Sequence, residues 1–471
     1  MTSHVPALIV GGGISGLVCA YALRKAGIDA QLLEASPCPG GVIRSQRRDG
    51  YLLELGPQSF SGTAPLAKLC KELGIDTELL EAPAEAPRYV LLPEGLRPVP
   101  LNPRAFLTSS LFSPGTKASV ARDMFGRSRP PEKDESIAGF VRRKFSVELL
   151  DRLVGPFVSG VYAGDPERLS LRSAFPQVHE AEESTGSVIR GMTRQAKSRK
   201  EARQRPSLQS FREGNETLVR ALGAKLGPAF RPGTKVTRIA LNQQEGGPGY
   251  VVSAGDSGRE DAILAEHLIL ATPTDITGKL LEMMKPGFEP LLSPIEYAPV
   301  AIVSLGYRQA SMGWPLDGFG FLVPRSAGLR VLGTVWNSSL FPGRAPEGHV
   351  LLTSFVGGAT DPEVVTWSPE ELVALVHREL APVLAIHQTP TFSNVQVYPR
   401  ALPQYNVGHS ERLAAIEELR QESPNLWLTG NYLRGPSIGT CVDQALAVAD
   451  QVLSWLKGPR GKLIRLNHFA V

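Results

Sequence analysis

Apolar residues open the chain as a short run, VPALIVG at 5–11, that ends in glycines; at 15–26 they return at helical spacing, and DAQLLE at 29–34 forms a second apolar run. Strand, turn, helix and strand within roughly 30 residues make a βαβ unit, which predicts a parallel sheet. Between about 102 and 206 the pattern changes to helical spacing, as at 136–154, with few β-rich runs, and this predicts an inserted helical subdomain. β-character returns after Phe211: 235–241 and 250–253 read as a hairpin and 265–272 as a buried strand. Short strands at 300–307, 318–323, 331–335 and 350–355, separated by Gly and Pro, call for a second, mixed sheet. A last strand is expected at 426–429. After it Ile438, Cys441, Val442, Ala445, Leu446, Ala449, Val452 and Leu456 recur at spacings of three and four, as on an amphipathic helix.

The expected fold class is therefore α/β, with α+β character in the second lobe. A Rossmann-type nucleotide-binding domain is expected to be assembled from 1–85, 207–275 and 400–458, and a mixed-sheet substrate domain from 86–101 and 276–399. Residues 102–206 form the helical subdomain and 459–471 a tail. At 471 residues, 42% hydrophobic and 20% charged, the chain is too long for one ordinary domain, which agrees with two lobes or more.

Charge changes this picture little. A net charge of +4 is mild and the basic residues are spread over the whole chain, so nucleic acid is not an expected partner. The exception is Arg190, Arg194, Lys197, Arg199, Lys200, Arg203 and Arg205, a basic stretch read either as a solvated face or as a phospholipid or anionic-ligand contact. Nearby Phe106, Leu107, Leu111 and Phe112 make an apolar patch, read either as a peripheral contact with a bilayer interface or as packing under a loop. No apolar run is long enough for a transmembrane helix, and residues 1–6 lack the regions of a signal peptide. The expected location is cytoplasmic, with the inner face of the membrane as the surface available to such contact. Cys19, Cys38, Cys70 and Cys441 form no CxxC pair, and the scattered histidines no metal-binding spacing, so no metal is expected.

The chemistry concentrates in glycine-rich turns. GGGISG, holding Gly11, Gly12, Gly13, Ile14, Ser15 and Gly16, places G-x-G-x-x-G between strand and helix, where bare peptide N–H groups can hold a pyrophosphate. Glu34, at the end of the second strand, can accept hydrogen bonds from ribose hydroxyls. Near the other end, Gly435, Ser437 and Gly439 spell G-x-S-x-G, the pattern of a hydrolase nucleophile elbow, but residues 430–436 separate Ser437 from its strand and only His468 follows it in hydrolase order. The competing reading is that Ile438 starts a helix whose N-terminal dipole faces a bound cofactor. No residue stands out as a catalytic acid, base or nucleophile, so the redox chemistry is expected to belong to the cofactor. Cys441, inside an apolar stripe, is not expected to tether it.

The continuation SPCPGGVIRS, with Gly40, Gly41, Arg44 and Ser45, resembles the motif that follows the dinucleotide fingerprint in amine-oxidase-like flavoproteins, and ELGPQS at 54–59 resembles the family segment beneath the flavin ring. Narrower runs, GPQSF at 56–60, PFVSGVYAGDPERLS at 156–170, DGFGFLVP at 317–324, FVGG at 355–358, PQYNVGH at 403–409 and GNYLRG at 430–435, make the chain similar to the protoporphyrinogen oxidases of haem biosynthesis over about 5–456. The resemblance implies non-covalent FAD, removal of six electrons from a porphyrinogen with hydride passing to flavin N5, and dioxygen as acceptor. It implies FAD contacts at residues 11–16, at Glu34, Ala35, Gly41, Val42 and Arg44, at Gly56, Pro57, Gln58 and Ser59, at the Val236 backbone, and at Pro436, Ser437 and Ile438. It implies a substrate cavity lined by Gly160, Phe319, Gly320, Leu322 and Phe355, each apolar side chain having a plain core reading beside it. Arg88 is the best candidate to pair with a propionate, against a solvated arginine at a strand start. Some relatives carry arginine in place of Gln58, which leaves the carboxylate-binding pattern open. Proto- and coproporphyrinogen are not distinguished. An amine oxidase or desaturase would share the fingerprint but lack VYAGDP and PQYNVGH, and a cofactor-free carrier would not need Gly11, Gly13, Gly16 and Glu34.

Overall fold

The structure, a computed structural model, describes residues 3–201, 207–242, 249–256 and 259–457. The opening apolar run lies at the centre of a seven-stranded sheet ordered Phe230–Arg231, Ala30–Leu33, Ser3–Val10, Arg259–Leu270, Tyr250–Asp256 and Lys235–Leu241, with Leu426–Leu428 also paired to Arg259–Leu270. The strands next to Ser3–Val10 run parallel to it, as the βαβ pattern requires, and the hairpin runs antiparallel. Arg259–Leu270 is longer than the run expected at 265–272. Its polar beginning, REDA, hides it from a hydrophobicity reading, yet that half pairs with Tyr250–Asp256 while the apolar half pairs with Ser3–Val10.

The helices Ile14–Lys25, Glu216–Leu226 and Ile438–Lys457 cover one face of this sheet through a shared core that includes Leu17, Val18, Leu23, Leu222, Val442, Ala445 and Val452. The two ends of the chain are thus packed against each other. Cys19, Cys70 and Cys441 are buried free thiols and Cys38 is exposed.

The second sheet is ordered Phe392–Pro403, Tyr297–Arg308, His349–Gly357, Val331–Trp336, Gly320–Leu322, Arg88–Leu92 and Gly95–Pro98. All its pairings are antiparallel except Gly320–Leu322 with Arg88–Leu92. Val303, Leu305, Tyr307 and Leu352 on one face pack under the helix Pro369–Leu384, through Leu372, Leu375, Val376 and Leu380. The edge strand Phe392–Pro403 contains prolines, which only an edge tolerates, and it carries this sheet past position 399, where the substrate domain was expected to end.

Along the chain between the strands Gly95–Pro98 and Leu208–Phe211 come helices that include Pro103–Thr108, Pro114–Phe125, Ile137–Lys144, Gly155–Tyr162, Pro176–Thr185 and Val188–Glu201. Asn102, Ser113 and Ser136 cap the starts of the first three, each accepting a peptide N–H from three residues on. Of the two readings of Phe106, Leu107, Leu111 and Phe112, packing describes most of the run. Leu111 and Phe112, between the helices Pro103–Thr108 and Pro114–Phe125, lie in the local core at 1% and 3% exposure, and the Phe106 ring packs tilted against Phe112, so that Leu107 alone of the four is exposed. In the basic stretch, Arg190 is not simply solvated: its guanidinium donates to the carbonyls of Met124, Gly126 and Thr185. Arg203, Arg205 and the tail from 458 onward lie outside the described residues. Among the described residues no helix is long and apolar enough to cross a membrane, and no group of His, Cys, Asp and Glu could hold a metal ion.

Candidate active site

The strand Ser3–Val10 ends on Gly11, whose φ of +106° turns the chain toward the helix while its N–H is held by the Leu33 carbonyl at 2.8 Å. A Cβ at Gly16 would collide with the Gly11 carbonyl, and one at Gly12 would stand 2.8 Å from Glu34 Cβ. At Gly13 it would meet nothing within 4 Å, which marks the open side of the turn. Ile14 and Ser15 point their side chains into the core, leaving the first-turn N–H groups as the chemistry this turn offers a phosphate. The Glu34 carboxylate accepts from the Gly12 N–H at 2.5 Å and the Ser36 N–H at 2.7 Å, and Ala35 beside it is exposed. Backbone bonds from Glu34 to Arg231 and from Thr234 to Glu34 bring the bulge at Val236 alongside the acid.

The second glycine pair joins the same turn. The Gly40 N–H donates to the Gly12 carbonyl at 2.8 Å, Gly41 has φ of +60°, Val42 is 46% exposed, and Arg44 Nε donates back to the Gly41 carbonyl. Gly56 lies directly against the Val42 carbonyl, so a side chain there would clash. At the far end of the chain, Ser437 Oγ accepts the Thr440 N–H at 3.1 Å as the cap of the helix beginning at Ile438, next to Pro436. That use of the hydroxyl fits a helix start and not a nucleophile elbow. A Cβ at Gly439 would stand 3.0 Å from the Ser61 carbonyl, and Thr63 Oγ1 donates to Asp443 at 3.1 Å, so the C-terminal helix starts against the chain that follows Ser59.

The residues expected to line a cavity fall on the second sheet. Gly320 is paired with Arg88, Leu322 with Gly333, and Gly333 with Phe355. Paired residues share a face, so Arg88, Gly320, Leu322 and Phe355 all lie on the face away from the helix Pro369–Leu384. Gly160, on the helix Gly155–Tyr162, closes over Leu322 so tightly that any side chain would clash. Phe319 sits just before the strand, with the Arg88 guanidinium 5.5 Å from its ring centroid. Arg88 itself is exposed. Tyr398, paired with Val300, belongs to this same face; burial pushes its phenol up, and the charge of Arg44 opposes that shift.

Gln58 is the exception among the expected contacts. Its side chain is 8% exposed; Nε2 donates to the Glu54 and Gly56 carbonyls, both at 2.9 Å, and Oε1 accepts from Asn337 Nδ2 at 2.8 Å. Behind it, Asn215 Nδ2 donates to the Pro57 carbonyl at 2.7 Å, and the Glu54 carboxylate accepts from Ser45, Asn215 and Arg344. Asn215, Asn337 and Arg344 were not picked out from the sequence, where nothing sets them apart from ordinary polar loop residues.

A nucleotide-binding turn completed by the C-terminal helix, beside a sheet wall of aromatic and aliphatic residues, is the architecture of a flavoenzyme. The model of the flavin containing amine oxidoreductases matches residues 14–453, and the chain belongs to that family. It is a flavin-dependent oxidoreductase. The chloroplastic protoporphyrinogen oxidase of Nicotiana tabacum is 34% identical over 96% of this chain and 86% of its own length. The coproporphyrinogen III oxidase of Bacillus subtilis is 32% identical over 95% of this chain and 98% of its own. A crystal structure from Exiguobacterium sp. 255-15, provisionally named a protoporphyrinogen oxidase, superposes with a TM-score of 0.79 at 25% identity, covering 96% of this chain and 99% of that one.

Proposed function

We propose that the protein binds FAD non-covalently and oxidises a porphyrinogen to the porphyrin, protoporphyrinogen IX to protoporphyrin IX, with dioxygen as acceptor, in haem biosynthesis. The observation that supports this substrate is that Arg88, Leu322 and Phe355 share one face of the second sheet, with the Arg88 guanidinium against the Phe319 ring. A porphyrinogen is a broad apolar ring with carboxylates at one edge, and such a surface with one edge cation matches it. Bound FAD supplies the redox chemistry, accepting hydride equivalents from the substrate and passing electrons to dioxygen. The protein's own part is placement. The first turn of the helix Ile14–Lys25 holds the pyrophosphate and Glu34 the ribose. The N-terminus of the helix at Ile438 favours negative charge on the reduced ring. Arg88 fixes a propionate and so decides which carbon of the macrocycle reacts.

Coproporphyrinogen III is the second reading, favoured by the near-complete match to the Bacillus subtilis enzyme. Incubating the purified protein with each porphyrinogen in air, while following porphyrin fluorescence and peroxide, decides between them. Faster turnover of protoporphyrinogen is expected, and no turnover of either would overturn the proposal. Denaturing the yellow protein should release all of its flavin as free FAD.

A further inference from the structure

We propose that Gln58 is a positioning residue that fixes the backbone of residues 56–59 and ties it to the substrate sheet, and not a residue that touches the porphyrinogen. The inference rests on the flavin reading above. A side chain at this place in a turn between nucleotide site and substrate wall would ordinarily be expected to face the cavity. Here the amide turns inward. Both Nε2 hydrogens are engaged, by the Glu54 and Gly56 carbonyls, and Oε1 holds Asn337, which directly follows the strand Val331–Trp336. The next carbonyl, Pro57, is held by Asn215. The Glu54, Gly56 and Pro57 carbonyls are therefore satisfied by the buried side-chain amides of Gln58, at 8% exposure, and Asn215, at 1%, while Asn337, at 4%, holds the Gln58 amide in turn. Buried backbone acceptors must find donors, and here one donor belongs to the turn itself and one to Asn215, while Asn337 fixes the first of them, so the height of the turn is set by all three together.

Asn337 is the informative partner because its side chain meets the turn at the Gln58 amide. Its Nδ2 reaches the turn only through Gln58. If Gln58 acts by position, removing Asn337 should reproduce part of the Gln58 phenotype. If Gln58 instead reaches substrate carboxylates, Asn337 should be irrelevant to flavin and substrate alike.

The test uses the full chain with Gln58→Leu, Asn337→Ala and the double variant. The readouts are FAD affinity of the apoprotein, the visible flavin band, thermal unfolding of the apoprotein, and KM and kcat for protoporphyrinogen. Expected for Gln58→Leu are an about tenfold loss of FAD affinity, in line with the loss of several buried hydrogen bonds, a shifted flavin band, and a lowered kcat at unchanged KM. Asn337→Ala should show the same signs more weakly, and the double variant should be little worse than Gln58→Leu, since both act through one contact. A Gln58→Leu protein with raised KM but wild-type flavin affinity and band would overturn the proposal in favour of substrate contact. So would an Asn337→Ala protein that is wild-type in every readout, and this holds even if Gln58→Leu fails to fold. Wild-type protein that takes up no FAD would sink the flavin reading itself, a result visible before any variant is made.

Discussion

Glu34 shows how much one side chain must hold in this site. Its oxygens already accept the Gly12 and Ser36 N–H groups, and a carboxylate offers about four acceptor positions, so it can fix its own turn and still take the ribose hydroxyls. Glu34→Ala should weaken FAD binding by about 1 to 3 kcal/mol, the scale of lost charge-assisted hydrogen bonds, as read by titrating apoprotein with FAD. An unchanged affinity would put the ribose elsewhere. Arg88 works differently, since it is exposed and lies against Phe319, with a cationic edge available to a ligand. Arg88→Ala should raise KM for the porphyrinogen and leave kcat, FAD affinity and the flavin band alone, because lost uniform binding shows in KM. Wild-type kinetics in a folded, flavinated variant would move the propionate to another residue.

At the scale of elements, the helical insertion is held by a buried charge cluster. Lys144 Nζ lies 2.7 Å from Asp123 and 3.3 Å from Glu182, and Arg143 forks onto Glu182 at 2.8 and 3.0 Å. Burial works against the Glu182 carboxylate, but hydrogen bonds from Arg143 and Ser128 and the charges of Arg143 and Lys144 outweigh it and hold its pKa down at about 2. A carboxyl whose pKa falls on folding stabilises the fold above its unfolded value, here about 4.5, and that stability drains away as pH drops toward about 2. Thermal unfolding followed from pH 6 downward should therefore show a steep loss below about 4.5 that is flatter in Glu182→Gln; equal slopes would assign the acid sensitivity to other groups. None of this cluster was legible beforehand, because its members come from separate helices. What was legible were elements with a clean period: the opening strand and helix, the hairpin, and the C-terminal helix that closes onto them. The helix Pro369–Leu384 went unmarked although Ser368 and Glu371 form a capping box, and Phe392–Pro403 was hidden by its polar and proline content. Leu111 and Phe112 show why two readings of the run at 106–112 stood open, since a hydrophobic run gives no sign of which side of it is covered. The glycine turns announced the candidate nucleotide site because geometry demands those residues, whereas the inward turn of Gln58 depends on Asn337, far along the chain, and no local pattern encodes it.

For the whole molecule the deciding contact is the one between Glu54, which ends a strand just before the turn at 55–59, and Arg344, from the loop after the helix Asn337–Leu340 of the second lobe. Their side chains are 2% and 1% exposed and 3.2 Å apart. Arg344 also donates to Ser210 Oγ and the Phe211 carbonyl, while Ser45 and the Asn215 N–H complete the acceptor shell of Glu54. Taking both charges out of water is costly, so the pair adds little to stability as a pair, but either charge left alone would be buried without compensation. Arg344→Met should accordingly cost about 3 to 5 kcal/mol, and the double change Glu54→Gln with Arg344→Met should cost clearly less than the two single changes added together. The measurement is denaturant unfolding at one fixed FAD concentration, because a ligand that binds only the folded state shifts apparent stability. If the single changes are mild and strictly additive, the two lobes are not locked by this pair, and the alignment of the turn at 55–59 with the second sheet must come from other contacts, the Gln58–Asn337 bond among them.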